Sequence, residues 1–520
     1  MTLITRRVFS MAALLGLTAV VGGLVWWQEH RGSAEVATKA TAAKLFDFAE
    51  AVQIKALELH VGEVIYGIER VGEGEQAWQL RTPLRTLAEA STIESMLQAA
   101  IDLKMTARVG GGSDDRFDTP APAPADLAIF GLAPPRFRLV LDDTTGRRQV
   151  LLVGKRNSFD GSLFVKRDDR NEVGVVPSSI EYQLERDAYA LREKRPLIFT
   201  AEDVAALSIS RGKAPLITLE SQGGIMRMTA PLSAATDATA VAQLLSTLSG
   251  MRAQHFAAEA GASPTALQTF GLLEPEAVVK LTLASGAIAS LRFGSASLPV
   301  GATKATTTPA ATAKRTFVML AGDNPVLELG SDAVLKVLAK PAQELRDLRV
   351  LPFHREDVQQ VQMQRGGQTL TFVHAAAAAD KEAWQQVVPA ADGIDSSKVV
   401  ALLYRLGDLK ADAVVIDAPS EAQLAAHGLA TPSLQIALVG AEGKSLGRLL
   451  VGRTEGGQRF VTTDAHARID RLGAVAVDSL STEPADYQAA TAPVVPPAPA
   501  GIPAAPGGAP GPDPDEGQDG

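Results

Sequence analysis

No cysteine occurs among the 520 residues. Disulfides, thiolate metal sites and cysteine nucleophiles are therefore excluded, and the redox compartment stays open. Aromatic residues make up only 5% of the chain. The seven histidines, at 30, 60, 255, 354, 374, 427 and 466, are scattered, and none stands at metal-ligand spacing from another histidine or from carboxylates. The zincin helix pattern, the nucleophile elbow and the phosphate-cradling P-loop are all missing. Cationic surplus is missing too: 50 Lys+Arg face 59 Asp+Glu, a net charge of −9 that disfavours a nucleic-acid partner held by counterion release. The short polar stretches "GDNP" and "DDTTG" read as turns, and "RDDRNE" as a solvated hairpin tip. Nothing in these absences points to an enzyme, a metal or a cofactor.

What is present begins at the N-terminus. Residues 8–27, "VFSMAALLGLTAVVGGLVWW", form an uncharged apolar run long enough to cross about 30 Å of hydrocarbon. Arg6 and Arg7 precede it, so residues 1–7 are expected as a cytoplasmic tip, with Trp26 and Trp27 at the far interface. A second reading stands beside this anchor. "TRRVF" resembles a twin-arginine export motif, and Gly32-Ser33-Ala34 offers a weak cleavage site. Both readings put the bulk of the chain outside the cytoplasm. Residues 28–44 then form a linker. Residues 491–520 are Pro/Gly/Ala-rich with an acidic end, and their composition predicts an extended, disordered tail.

Between these ends the chain repeats itself. "FGLAPP" at 130–135, "FGLLEP" at 270–275 and "HGLATP" at 427–432 head three trains of residues that stay in register. Leu127, Leu267 and Leu424 stand four before the glycine; Pro135, Pro275 and Pro432 stand four after it. Gly146, Gly286 and Gly443 follow, then Gly154, Gly294 and Gly452 at the ends of "LLVG", "LRFG" and "LLVG", then "FV" at 164, 317 and 460. Upstream, Trp78, Met226 and Trp384 each precede a proline by five. The spacing predicts modules at 45–198, 199–352 and 353–490. Each reads as an α+β unit: a mainly antiparallel sheet with packed helices. The stretch 297–316 reads as a flexible insert in the second module.

The hexapeptide has a mechanical reading. Gly131, Gly271 and Gly428 suit a left-handed helix C-cap, and a Schellman arrangement pairs Leu132 with Leu127, Leu272 with Leu267, and Leu429 with Leu424. The prolines prevent helix resumption. His427 stands where the other copies have Phe130 and Phe270, which suits packing better than catalysis. A second echo, "LREKRPLIFTAEDV" and "LRDLRVLPFHREDV", marks the joints near 198 and 352, with no counterpart ahead of the first module. There Arg192 and Arg195, and Arg346 and Arg349, are expected one helical turn apart. They would clamp Glu202 and Asp203, and Glu356 and Asp357, and so fix the angle between modules; receiving an anionic ligand or a partner's acidic loop is the other use.

In "W…P" plus a helix, "FGLxxP", the strand glycines, "FV" and "LR(D/E)xR", the chain resembles the bacterial family catalogued as domain of unknown function 4340, over most of 45–490. The resemblance implies a membrane-anchored extracytoplasmic protein, often encoded beside a gliding-motility-type ABC transporter with its ATPase, permease and auxiliary subunit. It supplies no catalytic residues. The resulting expectation is a non-enzymatic accessory or scaffold protein of such a transport system, on the inner membrane with its bulk periplasmic. Two others stand behind it: an envelope binding module for polysaccharide, lipid or peptidoglycan, and, weakest, an extracytoplasmic hydrolase.

Overall fold

A computed structural model describes residues 44–48, 50–109, 126–299, 312–322, 324–375, 383–464 and 467–489. The apolar run 8–27, the expected cytoplasmic tip at 1–7, nearly all of the expected linker, and residues 491–520 lie outside the described residues. No helix among the described residues is long and apolar enough to cross a membrane.

The opening strand β1 (Ile54–Val61) buries Leu57 and Leu59 on alternate positions, the period of a half-buried strand. It pairs antiparallel with β2 (Val64–Arg70) on one side. The sheet continues through β3 (Trp78–Thr82), β4 (Thr86–Leu87), β5 (Ala107–Arg108), β6 (Phe137–Asp143), β7 (Arg148–Arg156), β8 (Leu163–Arg167) and β9 (Gly174–Val176), in the spatial order 4-3-2-1-6-7-8-9-5. Two further nine-stranded antiparallel sheets repeat that order, one from Val204–Ser210 to Val326–Leu329 and one from Gln360–Arg365 to Arg468–Gly473. The fold class is α+β. The prolines that end the third strand of each sheet, Pro83, Pro231 and Pro389, all follow cis peptide bonds.

Each sheet carries one long helix: α1 (Ala90–Ile101), α2 (Ala238–Ser249) and α3 (Ser396–Gly407). Their apolar residues recur at helical spacing, as Val241, Leu244, Leu245 and Leu248 do on α2, and all four are buried. At about 1.5–3 kcal/mol per fully buried aliphatic side chain, this stripe holds the helix to the sheet far more strongly than its propensity does. Asp237 and Asp395 cap α2 and α3 by accepting backbone N–H bonds, while Glu89 at the same place before α1 does not cap.

Two compact units divide the chain at Arg346/Asp347. The first contains two sheets and the second contains the third.

Two expectations change, for the insert and for the joint, and a helix between them is broken. The insert is not loop throughout: Ser297, Leu298 and Pro299 pair with Lys314, Ala313 and Thr312, so its arms prolong a hairpin, and only residues 300–311 lie outside the description. The closing helix of the second module is split into Ala333–Ala339 and a 3-10 turn, Ala342–Leu345, because Pro341 cannot continue the backbone ladder. The joint is extended rather than helical, with Arg192 at φ −84°, ψ 146° and Arg346 at φ −83°, ψ 148°. Each joint splits its backbone bonds. Leu191 and Leu345 accept from Glu89 and Asp237 at the helix starts behind them, and Lys194 and Leu348 accept from Ala253 and Ala411 ahead. Leu45 also has such a place, donating to Leu103 as Val350 donates to Leu409. The entry segment "KLFDF" at 44–48 is therefore the first module's own, degenerate, copy of the joint.

Candidate functional site

Each hexapeptide ends a short helix: Ala128–Phe130 (3-10), Pro264–Thr269 and Glu421–Ala426. Gly131, Gly271 and Gly428 have φ of 67°, 70° and 74°. Leu132 N–H donates to Leu127 O at 3.0 Å, Leu272 to Leu267 at 2.8 Å and Leu429 to Leu424 at 2.9 Å, the long bond of a Schellman motif. Leu132, Leu272 and Leu429 are buried. Pro135 bridges back to Leu132, while Pro275 and Pro432 stand just ahead of strands Ala277–Leu283 and Leu434–Val439.

The rest of the repeat meets this corner. The carbonyl oxygens of Phe130, Gly271 and His427 press on Gly154, Gly294 and Gly452, where any Cβ would collide with them. The ring that opens each hexapeptide packs on the phenylalanine of "FV": Phe130 on Phe164 at 5.0 Å, Phe270 on Phe317 at 4.9 Å, His427 on Phe460 at 4.5 Å. The motif is thus a three-part structural lock, and His427 is a packing residue in it.

The Arg-rich joint makes contacts other than the expected ones. In the first unit Arg192, 4% exposed, forks onto Glu259 with two 2.9 Å bonds and lies 3.5 Å over the Phe256 ring. Arg195 engages Glu193 and Glu75. Glu202 is exposed, and Asp203 accepts from Thr200 instead, whose N–H holds its carboxyl below the usual range. The anticipated Glu202/Asp203 clamp is absent: the extended backbone sends Arg192 to Glu259, just past a strand of the second sheet, and Arg195 back to Glu75 of the first module. In the second unit Arg349 forks onto Asp347, while Glu356 and Asp357 sit exposed in a 3-10 turn. Arg346 is buried beside the start of α2, bridged to Thr236.

What sequence reasoning missed is Glu89. It is buried and receives Lys194 Nζ at 2.9 Å and Arg252 Nη2 at 2.6 Å, joining the first module's helix start to the joint and to the segment after α2. Burial acts to raise its carboxyl, but the bonds from Arg252 and Lys194 outweigh that and hold it below its ordinary value. A glutamate where the repeats have a capping aspartate was the available signal. "RDDRNE" is likewise no solvated tip. Arg167 and Glu172 are buried; Arg167 reaches Leu45 O at 2.9 Å and Asp47 at 2.6 Å, and Arg108 reaches Glu172 at 3.2 Å. In the third sheet buried Arg468 similarly grips Asp347 O and Arg349 O.

The described surface also holds a groove of about 440 Å³ between α3 and its sheet, lined by Arg355, Glu356, His374, Trp384, Val400 and Tyr404 among others. Arg355 lies 3.4 Å over the Tyr404 ring, and His374 meets Trp384 edge-on at 5.2 Å. The first sheet has a counterpart of about 720 Å³ lined by Val52, Arg70, Glu94 and Gln98 among others. Among the described residues no three His, Asp or Glu side chains converge as a metal donor set.

No curated protein matches the chain. The profile of a domain of unknown function, DUF4340, matches twice, over residues 78–264 and 227–391. Both matches begin at the third strand of a sheet, at Trp78 and beside Met226, so the profile finds the repeat as well as the family. Together they span more than half the chain, which therefore belongs to the DUF4340 family.

Proposed function

We propose that this protein is a non-enzymatic scaffold, anchored in the inner membrane by residues 8–27 and projecting its modules into the periplasm as an accessory subunit of an ABC-type transport system. The observation that carries the reading is the way repeated sheets are joined. In the first unit, two sheets are tied by the buried Glu89 with Lys194 and Arg252, by Arg192 with Glu259, and by Tyr189 donating to Ala253 O at 2.8 Å. Conserving one architecture three times while spending polar side chains on the joints suits a spacer and docking surface. Its partners on this reading are the membrane, a transporter ATPase and permease, and an auxiliary subunit; it takes no cofactor.

Mild detergent extraction and affinity capture of the full chain test this. Co-recovery of an ATPase and a permease in comparable amounts is the expected result. Recovery of glycan or cell-wall material without them would overturn it in favour of a transporter-independent envelope binding module.

A further inference from the structure

The three long helices can be compared position by position from their N-caps. Five residues after the cap stand Glu94, Ala242 and Val400; nine after it stand Gln98, Ser246 and Tyr404. Glu94 and Gln98 are exposed polar groups that give the first sheet's groove a polar wall. On α3 the same two places are apolar and aromatic, and Tyr404 remains 50% exposed. A third change accompanies them: Arg70, which stacks on Trp78 in the first sheet, is replaced by His374 beside Trp384. Only the third module therefore carries an aromatic groove at this site. Arg355 covers one face of Tyr404 and has no carboxylate partner among the described residues, leaving its N–H edge for carbonyl acceptors.

Aromatic grooves with a few edge donors suit a polyproline II strand. Its backbone carbonyls have no internal partners and its rings present a preformed apolar ridge. The chain places such a segment directly after the third module; its other proline-rich run, at 119–125, belongs to the first module. Residues 491–503 carry Pro493, Pro496, Pro497, Pro499 and Pro503, and the described chain reaches Ala489 at the start of α3 itself. There Ala489 N–H donates to Gly393 O, and Lys398 Nζ donates to Gln488 O, both at 2.8 Å. From the cap to Tyr404 the helix rises about 13 Å. Five residues of polyproline II cover about 15 Å, leaving the residues around 490–492 to cross the helix start. In the first two modules the chain at this point runs straight into the next joint.

We propose that the groove lined by Trp384, Tyr404 and Arg355 is the docking site for this chain's own proline-rich segment, residues 491–503. Tethering at Ala489 supplies an effective concentration in the millimolar range, enough to fill a weak site.

Hydrogen exchange on the full chain in detergent tests the proposal. Deleting 491–520 should speed exchange in 398–407 about threefold or more while α1 and α2 stay unchanged. A synthetic 491–505 peptide added to the deleted chain should restore the protection, and should fail to do so on Tyr404→Ala or Arg355→Ala, both exposed sites whose replacement leaves the core intact. Unchanged exchange on deletion overturns the proposal, as does peptide protection that survives Tyr404→Ala. Protection by an unrelated proline-rich peptide or a chitooligosaccharide, but not by 491–505, overturns it in favour of an outside ligand.

Discussion

The carbonyl oxygen of Phe130 occupies the space that a side chain on Gly154 would need. The same relationship recurs between Gly271 and Gly294 and between His427 and Gly452. A helix end is thereby seated on a strand, and the ring of Phe130 on Phe164 closes the contact from the side. Two motifs that lie some twenty residues apart in sequence are one object in space.

Gly154→Ala should therefore be severe. The obstacle is backbone, which cannot rotate away, so overpacking of about 3 kcal/mol or more is expected. Gly146→Ala is the control: its φ is 88° but nothing lies within 4 Å of the added methyl. Its cost should be the left-handed backbone penalty alone, about 1–2 kcal/mol. Urea midpoints of the two variants decide the matter. Gly154 has no positive φ of its own, so a loss no larger than that of the control would show that the seated carbonyl yields to the methyl and does not select glycine at 154.

Much of this corner is legible in the sequence because its determinants are local. A Leu, a Gly four residues on and a following apolar residue specify a C-cap whatever the rest of the chain does, and repetition in register reveals the sheet modules. The joint is legible only in outline. Arg192 and Arg195 stand out as a pair, but their partners Glu259 and Glu75 lie 67 and 120 residues away, and no local rule selects them over the adjacent Glu202 and Asp203. Buried charge is hidden for the same reason. Arg167 looks solvated within "RDDRNE" until the entry segment 44–48 is laid across it.

Glu89 makes the joint sensitive to acid. Its folded carboxyl titrates below the ordinary 4.5, so its contribution is fully present above the unfolded value and is lost as pH falls through the lowered one. Glu89→Gln should flatten the stability of the first unit against pH below about 4.5, with the second unit unaffected. Glu89→Ala should cost about 1–3 kcal/mol at neutral pH, nearer the lower figure because Arg252 is half exposed. Denaturant titrations at pH 7, 5 and 4 provide the check. A Gln variant that keeps the wild-type acid slope would assign that slope to other carboxylates.

Tyr487 makes the second unit sensitive to base, with the opposite sign of slope. Its ring packs on Phe372 at 4.7 Å, its hydroxyl donates to Ser481 O at 2.7 Å, and its backbone carbonyl accepts from the α3 cap residue Asp395. Burial pushes the phenol up from 10 to about 12. The unfolded chain then loses this proton first, so stability is full below pH 10 and falls as pH rises toward 12, at up to about 1.4 kcal/mol per pH unit. Tyr487→Phe removes one hydrogen bond, worth about 1 kcal/mol, but also removes the titrating group. The variant should start slightly less stable at pH 9 and lose ground more slowly, the two curves converging by pH 11. Lysines and other tyrosines titrate in both proteins alike, so the difference between the slopes belongs to Tyr487. Parallel curves from pH 9 to 11 would mean that the phenolate is accommodated in the folded state.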